Sequence, residues 1–364
     1  MIPKSLDVFG VSRGTSEKFV IRSSSVRIPS NFQHFLNNGD NKERLFEVIE
    51  EVWSENKYLL GDRVVFFARA DKCTKIDETG CTNVEELRSN HEEADTKVVY
   101  LLKHAIETEE HPDEASFVVR SSSGDIDIPM ILLSSDLPDH AKVILDSGRD
   151  EHRRIIDLSE CTLPDQQKKS LLGIHAFSGC DQISSFLRKG KKTCWNVLEK
   201  NPHLFQAFAL LGTQQEASDE LIQSLEEYVC KLYGEKRCLD VNQARRKIFW
   251  RSLKNKKKII DLSLLPPCRR SLIYHIRRAN YLCFIWRQAA IPLMILDNPQ
   301  NHGWDEICNF KWSEEVYPED VVSFLANAAS ITCEEDEEDN VDLEEDDVND
   351  VFDVDENLDG EEYF

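Results

Sequence analysis

The strongest constraint on the fold is an alternation of strand-like and helix-like segments between residues 64 and 145. Apolar runs of the strand type occur at residues 64–68, 116–120, 130–133 and 142–145. After the first of these, a helical pattern begins at a capping box formed by Thr82 and Glu85 and continues to Ala105. Alternating strands and helices favour parallel strand pairing, so this order predicts an α/β domain with a mainly parallel sheet.

The rest of the chain is predicted to be mostly helical. Helical patterns recur at residues 164–178, 192–211, 215–233, 240–255 and 269–288. We therefore expect four segments: an N-terminal lead-in over 1–59, the α/β domain over 60–235, a basic helical extension over 236–330 and a tail over 331–364.

The net charge of -23 belongs almost entirely to the tail. From Glu334 to Phe364 there are 18 acidic residues and no Lys or Arg, whereas the other 333 residues have 49 acids and 44 bases. Residues 236–278 contain 14 Lys or Arg and two acids. The tail has too little apolar content to fold, so we expect it to be disordered. The nearly neutral charge of residues 1–333 permits nucleic-acid binding.

Several classes of protein are excluded by what the sequence lacks. No apolar run is long enough for a membrane span, and the N-terminus has no apolar signal region. The eleven cysteines include no CxxC pair, so we expect reduced thiols and no zinc site. These features predict a nuclear or cytoplasmic protein that is not secreted and has no membrane partner.

Three short acidic segments lie where α/β proteins usually place their chemistry. The candidate ligands are Glu93 and Asp95 in a helical pattern, Asp125 and Asp127 after the strand at 116–120, and Asp181 after an apolar helix. Sites in open parallel sheets form beyond the carboxyl ends of the strands. If the five carboxylates meet, their repulsion calls for a divalent cation, and oxygen ligands suit Mg²⁺ or Mn²⁺. The alternative is that each acid is a solvated charge or a helix cap.

The order of these motifs resembles that of the flap-endonuclease-type PIN-like nucleases. The shared order is EADT, then VVRSSSGDID, then an apolar helix ending in GCD, followed by a glycine between basic residues. A closer resemblance, over residues 60–310, is to transposon-associated PIN-like proteins of invertebrate genomes. It is carried by residues 84–105, 118–132, 171–195, 265–291 and 302–304.

The resemblance implies a PIN-like, Rossmann-like sheet and a nuclease that uses Mg²⁺ or Mn²⁺. Its metal ligands would be Glu93, Asp95, Asp125, Asp127 and Asp181, and its catalytic acids Asp125, Asp127 and Asp181. Two features of the relatives have no counterpart in this chain, namely an acidic residue on an N-terminal strand and a Cys-rich stretch at the C-terminal end.

Two basic segments are candidates for nucleic-acid contacts. The first resembles a helix-hairpin-helix turn and consists of Arg188, Lys189, Gly190, Lys191 and Lys192. The second consists of Arg245, Arg246 and Lys247, followed by Phe249 and Trp250, which we expect to pack in the core. Lys and Arg would contact phosphates, and a glycine lets the backbone approach one. Both segments also fit an ordinary solvated turn or helix face.

The sequence therefore predicts a mobile-element-derived, structure-selective, metal-dependent nuclease, with DNA as the favoured substrate. Two alternatives stay open. One is a catalytically inactive protein that binds nucleic acid with the same fold. The other is a chromatin-interaction role in which the acidic tail binds a basic protein partner.

Overall fold

The computed structural model describes residues 18–305, apart from residues 22, 24–25, 28, 122–125, 136, 139 and 255–261. The six strands are β1 (Val65–Arg69), β2 (Lys72–Ile76), β3 (Cys81–Asn83), β4 (Ser116–Ser121), β5 (Lys142–Ser147) and β6 (Arg154–Asp157). The first five helices are α1 (Phe32–Leu36), α2 (Gly39–Glu55), α3 (Ala94–Thr108), α4 (Asp127–Ser134) and α5 (Asp165–Ser178). The other five are α6 (Lys191–Lys200), α7 (Phe205–Leu210), α8 (Asp219–Leu232), α9 (Val241–Lys254) and α10 (Arg269–Arg287).

A small antiparallel sheet, β1-β2-β3, forms the N-terminal part of the α/β arrangement. It packs on α2, where the ring of Trp53 meets Phe67 edge to face at 5.7 Å. The predicted strand at 64–68 is confirmed as β1, and it is not buried on both faces, because Phe66 is 42% exposed. A hairpin has only one face to pack against the rest of the protein, so alternate residues of β1 stay accessible.

The helix predicted from the capping box begins later than expected. Residues Cys81–Asn83 pair with β2, and Leu87 is buried in a short 3₁₀ turn. The regular helix α3 begins at Ala94. Strand pairing and the burial of Leu87 therefore override the local capping signal, which is a weak determinant compared with tertiary packing.

The second sheet, β4-β5-β6, is mixed rather than mainly parallel, which corrects the predicted sheet. Strand β4 runs parallel to β5, whereas β6 is antiparallel to β5. The run predicted as a strand at residues 130–133 is part of α4. Ile131 and Leu132 are almost fully buried there, and Pro129 is tolerated in the first helical turn. Short apolar runs do not distinguish a buried helix from a strand.

The C-terminal half is helical, as the sequence predicts. The last nine residues of α5 are all buried, and α4, α7 and α10 pack around this helix. A single hydrophobic cluster extends from Val99 to Trp304 and includes residues of β4, β5, α5, α8 and α10. The core therefore continues across the predicted boundary between residues 235 and 236, although the boundaries themselves stay a prediction.

Within the described residues, every helix is too short or too polar to cross a lipid bilayer. The acidic tail at 331–364 and the end of the predicted extension at 306–330 lie outside the described residues, as do residues 1–17 of the predicted N-terminal lead-in.

Candidate functional site

The candidate site is built around the carboxyl end of β4. The strand ends at Ser121 beside Ser147 of the parallel strand β5. The chain then re-enters the described part at Ile126, and Asp127 opens α4 with only 6% of its surface exposed. Asp127 therefore follows a strand end, as the order of the sequence predicts. Asp125 lies outside the described residues.

Asp127 is held by a buried histidine from the last turn of α5. The Nε2 atom of His175 lies 2.6 Å from Oδ1 of Asp127, and His175 is 3% exposed. The ring of Trp286 on α10 lies against the imidazole, with 5.6 Å between ring centroids. The imidazole therefore fixes the orientation of the carboxylate.

The sequence analysis missed His175 as a site residue. The signal was present, because a histidine in an apolar helix needs a polar partner when it is buried. Its Nδ1 atom has no hydrogen-bond partner among the described residues, so the contact with Asp127 is the polar interaction that accounts for its burial.

A tight turn after α5 carries Asp181. Gly179 has a φ of 112°, and a Cβ added there would lie 2.7 Å from the Cβ of Ser185. The backbones of Cys180 and Ile183 bond to each other, which puts Asp181 at the exposed tip of the turn. The glycine of the GCD motif is thus required by the path of the backbone.

The Cys180 thiol next to this turn is not an activated nucleophile. Burial raises its pKa to about 12, and the nearby charge of Asp127 also raises it. A thiol with this pKa stays protonated at neutral pH, whereas the thiolate is the reactive form.

Lys191 ties the predicted basic turn to the end of α5. Its ammonium group donates to the backbone oxygens of Gly179 at 2.6 Å and His175 at 3.0 Å, and it lies 3.4 Å from Oγ of Ser178. Burial lowers the pKa of Lys191. Cations at a helix C-terminus satisfy the last carbonyl groups, so Lys191 has a structural function here in addition to its predicted phosphate contact.

The other residues of the basic turn have different environments. Arg188 is exposed with a φ of 58°, and Lys192 is exposed in the first turn of α6. The amine of Lys189 lies over the ring of Tyr233, 5.4 Å from its centroid. Gly190 has an ordinary φ of -69°, and a Cβ added there would meet no atom within 4 Å. Its backbone is therefore accessible, although its conformation does not require a glycine.

Glu93 and Asp95 lie at the start of α3. Both are half-buried, and Glu93 is the residue that precedes the helix. The adjoining His91 contacts the carbonyl oxygen of Ile291 through Nε2 at 2.7 Å. The described residues include no group of three or more acid, His or Cys side chains arranged to hold a metal ion. Convergence of the five predicted acids, one of which is Asp125, thus stays a prediction.

The second basic segment lies on α9. Arg245 donates to the backbone oxygen of Pro266, whereas Arg246 and Lys247 are exposed. Phe249, which is predicted to pack in the core, is half-buried. The same prediction is wrong for Trp250, which is 57% exposed, because α9 turns this position away from the core.

A charged network at the ends of β4 and β5 was also missed. Asp146 accepts two hydrogen bonds from Arg153, at 2.8 and 2.9 Å, and one from Arg120 of the neighbouring strand. The bonds from Arg153 lower the pKa of Asp146. Arg120 lies opposite Asp146 because of the register between β4 and β5, which the sequence alone does not predict.

One described carboxylate of the site, that of Asp127, could donate oxygen to a hard divalent cation. Asp127 provides carboxylate oxygen at the carboxyl end of a parallel strand, and an imidazole orients it as outer-shell partners orient metal ligands. Oxygen ligands suit Mg²⁺ and Mn²⁺.

Comparisons with protein-family models, with curated proteins and with solved structures each found no match to this chain.

Proposed function

We propose that this chain is a metal-dependent, nuclease-like protein that cleaves phosphodiester bonds of nucleic acid, with DNA as the favoured substrate. The observation that carries the proposal is the buried Asp127 at the carboxyl end of β4, with its carboxylate oriented by His175. Burying a carboxylate costs free energy, and buried ionisable groups with a specific partner are concentrated at functional sites.

The residues that would hold the metal are the acids of the three sequence motifs. Asp125 and Asp127 follow β4 in the sequence, Asp127 opens α4, and Asp181 lies on the turn after α5, the helix that carries His175. Glu93 and Asp95 at the start of α3 would complete the set. When bound, Mg²⁺ or Mn²⁺ supplies an activated water and neutralises the charge that develops on the phosphate.

The chain's own contribution is orientation and charge. His175 contacts the carboxylate of Asp127, and Trp286 of the buried core packs against the imidazole. Arg188 and Lys192 of the basic turn are exposed and would contact the phosphate backbone. Lys191 links that turn to the end of α5, the helix that Asp181 follows.

The proposal is tested by a cleavage assay with purified full-length protein. A flap or single-stranded DNA is incubated with Mn²⁺, and the wild type is compared with Asp125→Asn, Asp181→Asn and the Asp125→Asn plus Asp127→Asn double variant. We expect the wild type to cut and the substitutions to abolish cutting, with EDTA having the same effect.

Asp165→Asn is the matched control, because Asp165 is an exposed acid at the opposite end of α5. It should cut like the wild type. Circular dichroism confirms that each variant is folded. Cleavage that persists in the double variant, or no cleavage by the wild type, contradicts the proposal.

A second candidate is a protein that binds nucleic acid without cutting it. It is favoured by the exposed cations of the basic turn and of α9, which would contact phosphates without a metal ion. In that case, DNA binding would be unaffected by EDTA and no turnover would occur. A partner protein for the acidic tail is a third role, and loss of histone binding on deletion of residues 334–364 would support it.

A further inference from the structure

Helix α9 has one face in the core and one face in solvent. Val241 and Ala244 are fully buried, and Ile248 packs against the main cluster. These three positions are spaced at i, i+3 and i+7, as expected for one side of a helix. The core therefore explains this side of α9.

The opposite side carries two cations and two large apolar residues, and we call it the α9 surface. Its members are Arg246, Lys247, Trp250 and Leu253. Trp250 is 57% exposed and Leu253 is 41% exposed. Arg246 precedes Trp250 by four residues and Lys247 precedes it by three, so both cations lie next to the indole on the helix.

The exposure of Trp250 is not explained by packing. Its only described ring contact is with Phe249, edge to face, with 6.0 Å between centroids. Tryptophan carries a large apolar surface that is usually buried to a great extent. An indole left in solvent beside two cations is typical of a surface that contacts a ligand.

The charge of α9 indicates what kind of ligand fits. The helix contains five Lys or Arg and no acid. Arg245 and Arg251 have partners within the protein, because Arg245 donates to Pro266 and Arg251 contacts Glu235 at 2.7 Å. Arg246 and Lys247 remain exposed on the outer side. The ligand is therefore polyanionic and has flat faces for the indole.

We propose that the α9 surface binds single-stranded nucleic acid, with an unpaired base stacked on Trp250 and neighbouring phosphates at Arg246 and Lys247. Single strands expose the base faces that a duplex hides, and base–aromatic stacking tolerates any sequence. This inference rests on the proposed function, and it specifies that the substrate class is unpaired rather than duplex nucleic acid.

The test separates bases from phosphates. Fluorescence anisotropy measures binding of the full chain, in EDTA, to a labelled oligothymidine of about 15 nucleotides and to an abasic oligomer of the same length. We expect the wild type to bind oligothymidine about ten-fold more tightly than the abasic oligomer, since stacking contributes at this level. Trp250→Ala should remove that difference and leave abasic binding unchanged.

Two further variants are matched controls. Trp53→Ala removes a different exposed tryptophan, 42% accessible and located on α2, and should not change the preference for bases. Arg246→Ala plus Lys247→Ala should weaken binding of both oligomers. The slope of the logarithm of the binding constant against the logarithm of the salt concentration should become shallower by about 0.7 per lost phosphate contact.

Equal binding of the two oligomers by the wild type, or an unchanged preference in Trp250→Ala, would overturn the inference. Because the assay contains EDTA, this result would leave the cleavage assay and the proposed function intact. Failure to bind either oligomer would contradict both the inference and a function on nucleic acid.

Discussion

At the scale of single residues, the site depends on a few residues whose replacement the surrounding structure does not tolerate. Gly179 is one of them, because its φ of 112° and the 2.7 Å approach to Ser185 exclude a side chain. The contact between His175 and Asp127 is another, because both residues are buried. Each gives a prediction with a control in the same region.

Gly179→Ala should destabilise the protein by at least about 2 kcal/mol, because it adds backbone strain and a collision with Ser185. Gly190→Ala is the control. Gly190 has an ordinary φ and open space around it, so its replacement should cost less than about 0.5 kcal/mol. Urea unfolding measures both. Equal losses of stability in the two variants would show that the turn after α5 is not built as described.

The buried pair should show strong coupling in a double-mutant cycle. His175→Ala leaves the Asp127 carboxylate without its imidazole partner, so we expect a loss of about 2 kcal/mol. Asp127→Asn alone should also destabilise, and the double variant should lose less than the sum of the two. The free energies of unfolding from urea titrations give the coupling directly. Additive losses would mean that the two side chains do not interact.

At the scale of helices and strands, the spacing of apolar residues predicts the long helices better than it predicts the strands. The helices α5, α8, α9 and α10 match the predicted helical segments closely, whereas the segment predicted as one helix at 192–211 is divided into α6 and α7 by the 3₁₀ turn that begins at Pro202. Pairing partners decide the rest. The segment Cys81–Asn83 becomes a strand because β2 is beside it, and α4 replaces a predicted strand because its apolar residues are enclosed by α3 and α5.

The same distinction applies to the candidate site. The position of Asp127 at a strand end is predictable from the order of apolar and acidic residues. The histidine that orients it, the lysine that closes α5 and the exposed indole of Trp250 depend on how separate helices pack, and no local pattern specifies this.

His275 gives a pH-dependent prediction for the junction of α5 and α10. Its Nε2 atom contacts the carbonyl oxygen of Phe177 at 2.8 Å, and its Nδ1 atom lies 3.4 Å from Oγ of Ser184. Burial, helped by the charge of Arg278, lowers its pKa to about 4 against the opposite effect of the hydrogen bond to Phe177. The imidazole is therefore neutral in the folded protein across the mildly acidic range.

The unfolded chain binds a proton at His275 below pH 6.5, and the folded protein does so only near pH 4. The stability from neutral burial is thus complete above pH 6.5 and is lost as the pH falls to about 4, by up to about 3 kcal/mol. His275→Gln should remove this part of the slope. Unfolding free energies between pH 4 and 7 test it, and identical slopes in the two proteins would contradict it.

At the scale of the whole molecule, the protein combines an acidic tail sequence with a body that is close to neutral and has a basic surface on α9. The described part has two small sheets, one antiparallel and one mixed, and a helical cluster that carries the core. The candidate acids lie at the ends of elements on this framework, and the exposed cations and Trp250 provide the surfaces that we propose for nucleic acid.

We propose above all that Asp125 and Asp127, which follow β4 in the sequence, hold a metal ion. The most direct measurement is a titration of the metal-free protein with Mn²⁺, followed by the electron paramagnetic resonance signal of the free ion. We predict that the wild type takes up Mn²⁺, and that the Asp125→Asn plus Asp127→Asn variant, shown to be folded, loses this uptake, whereas Asp165→Asn keeps it. Equal uptake by the wild type and the double variant, or no uptake by the wild type, would contradict the claim.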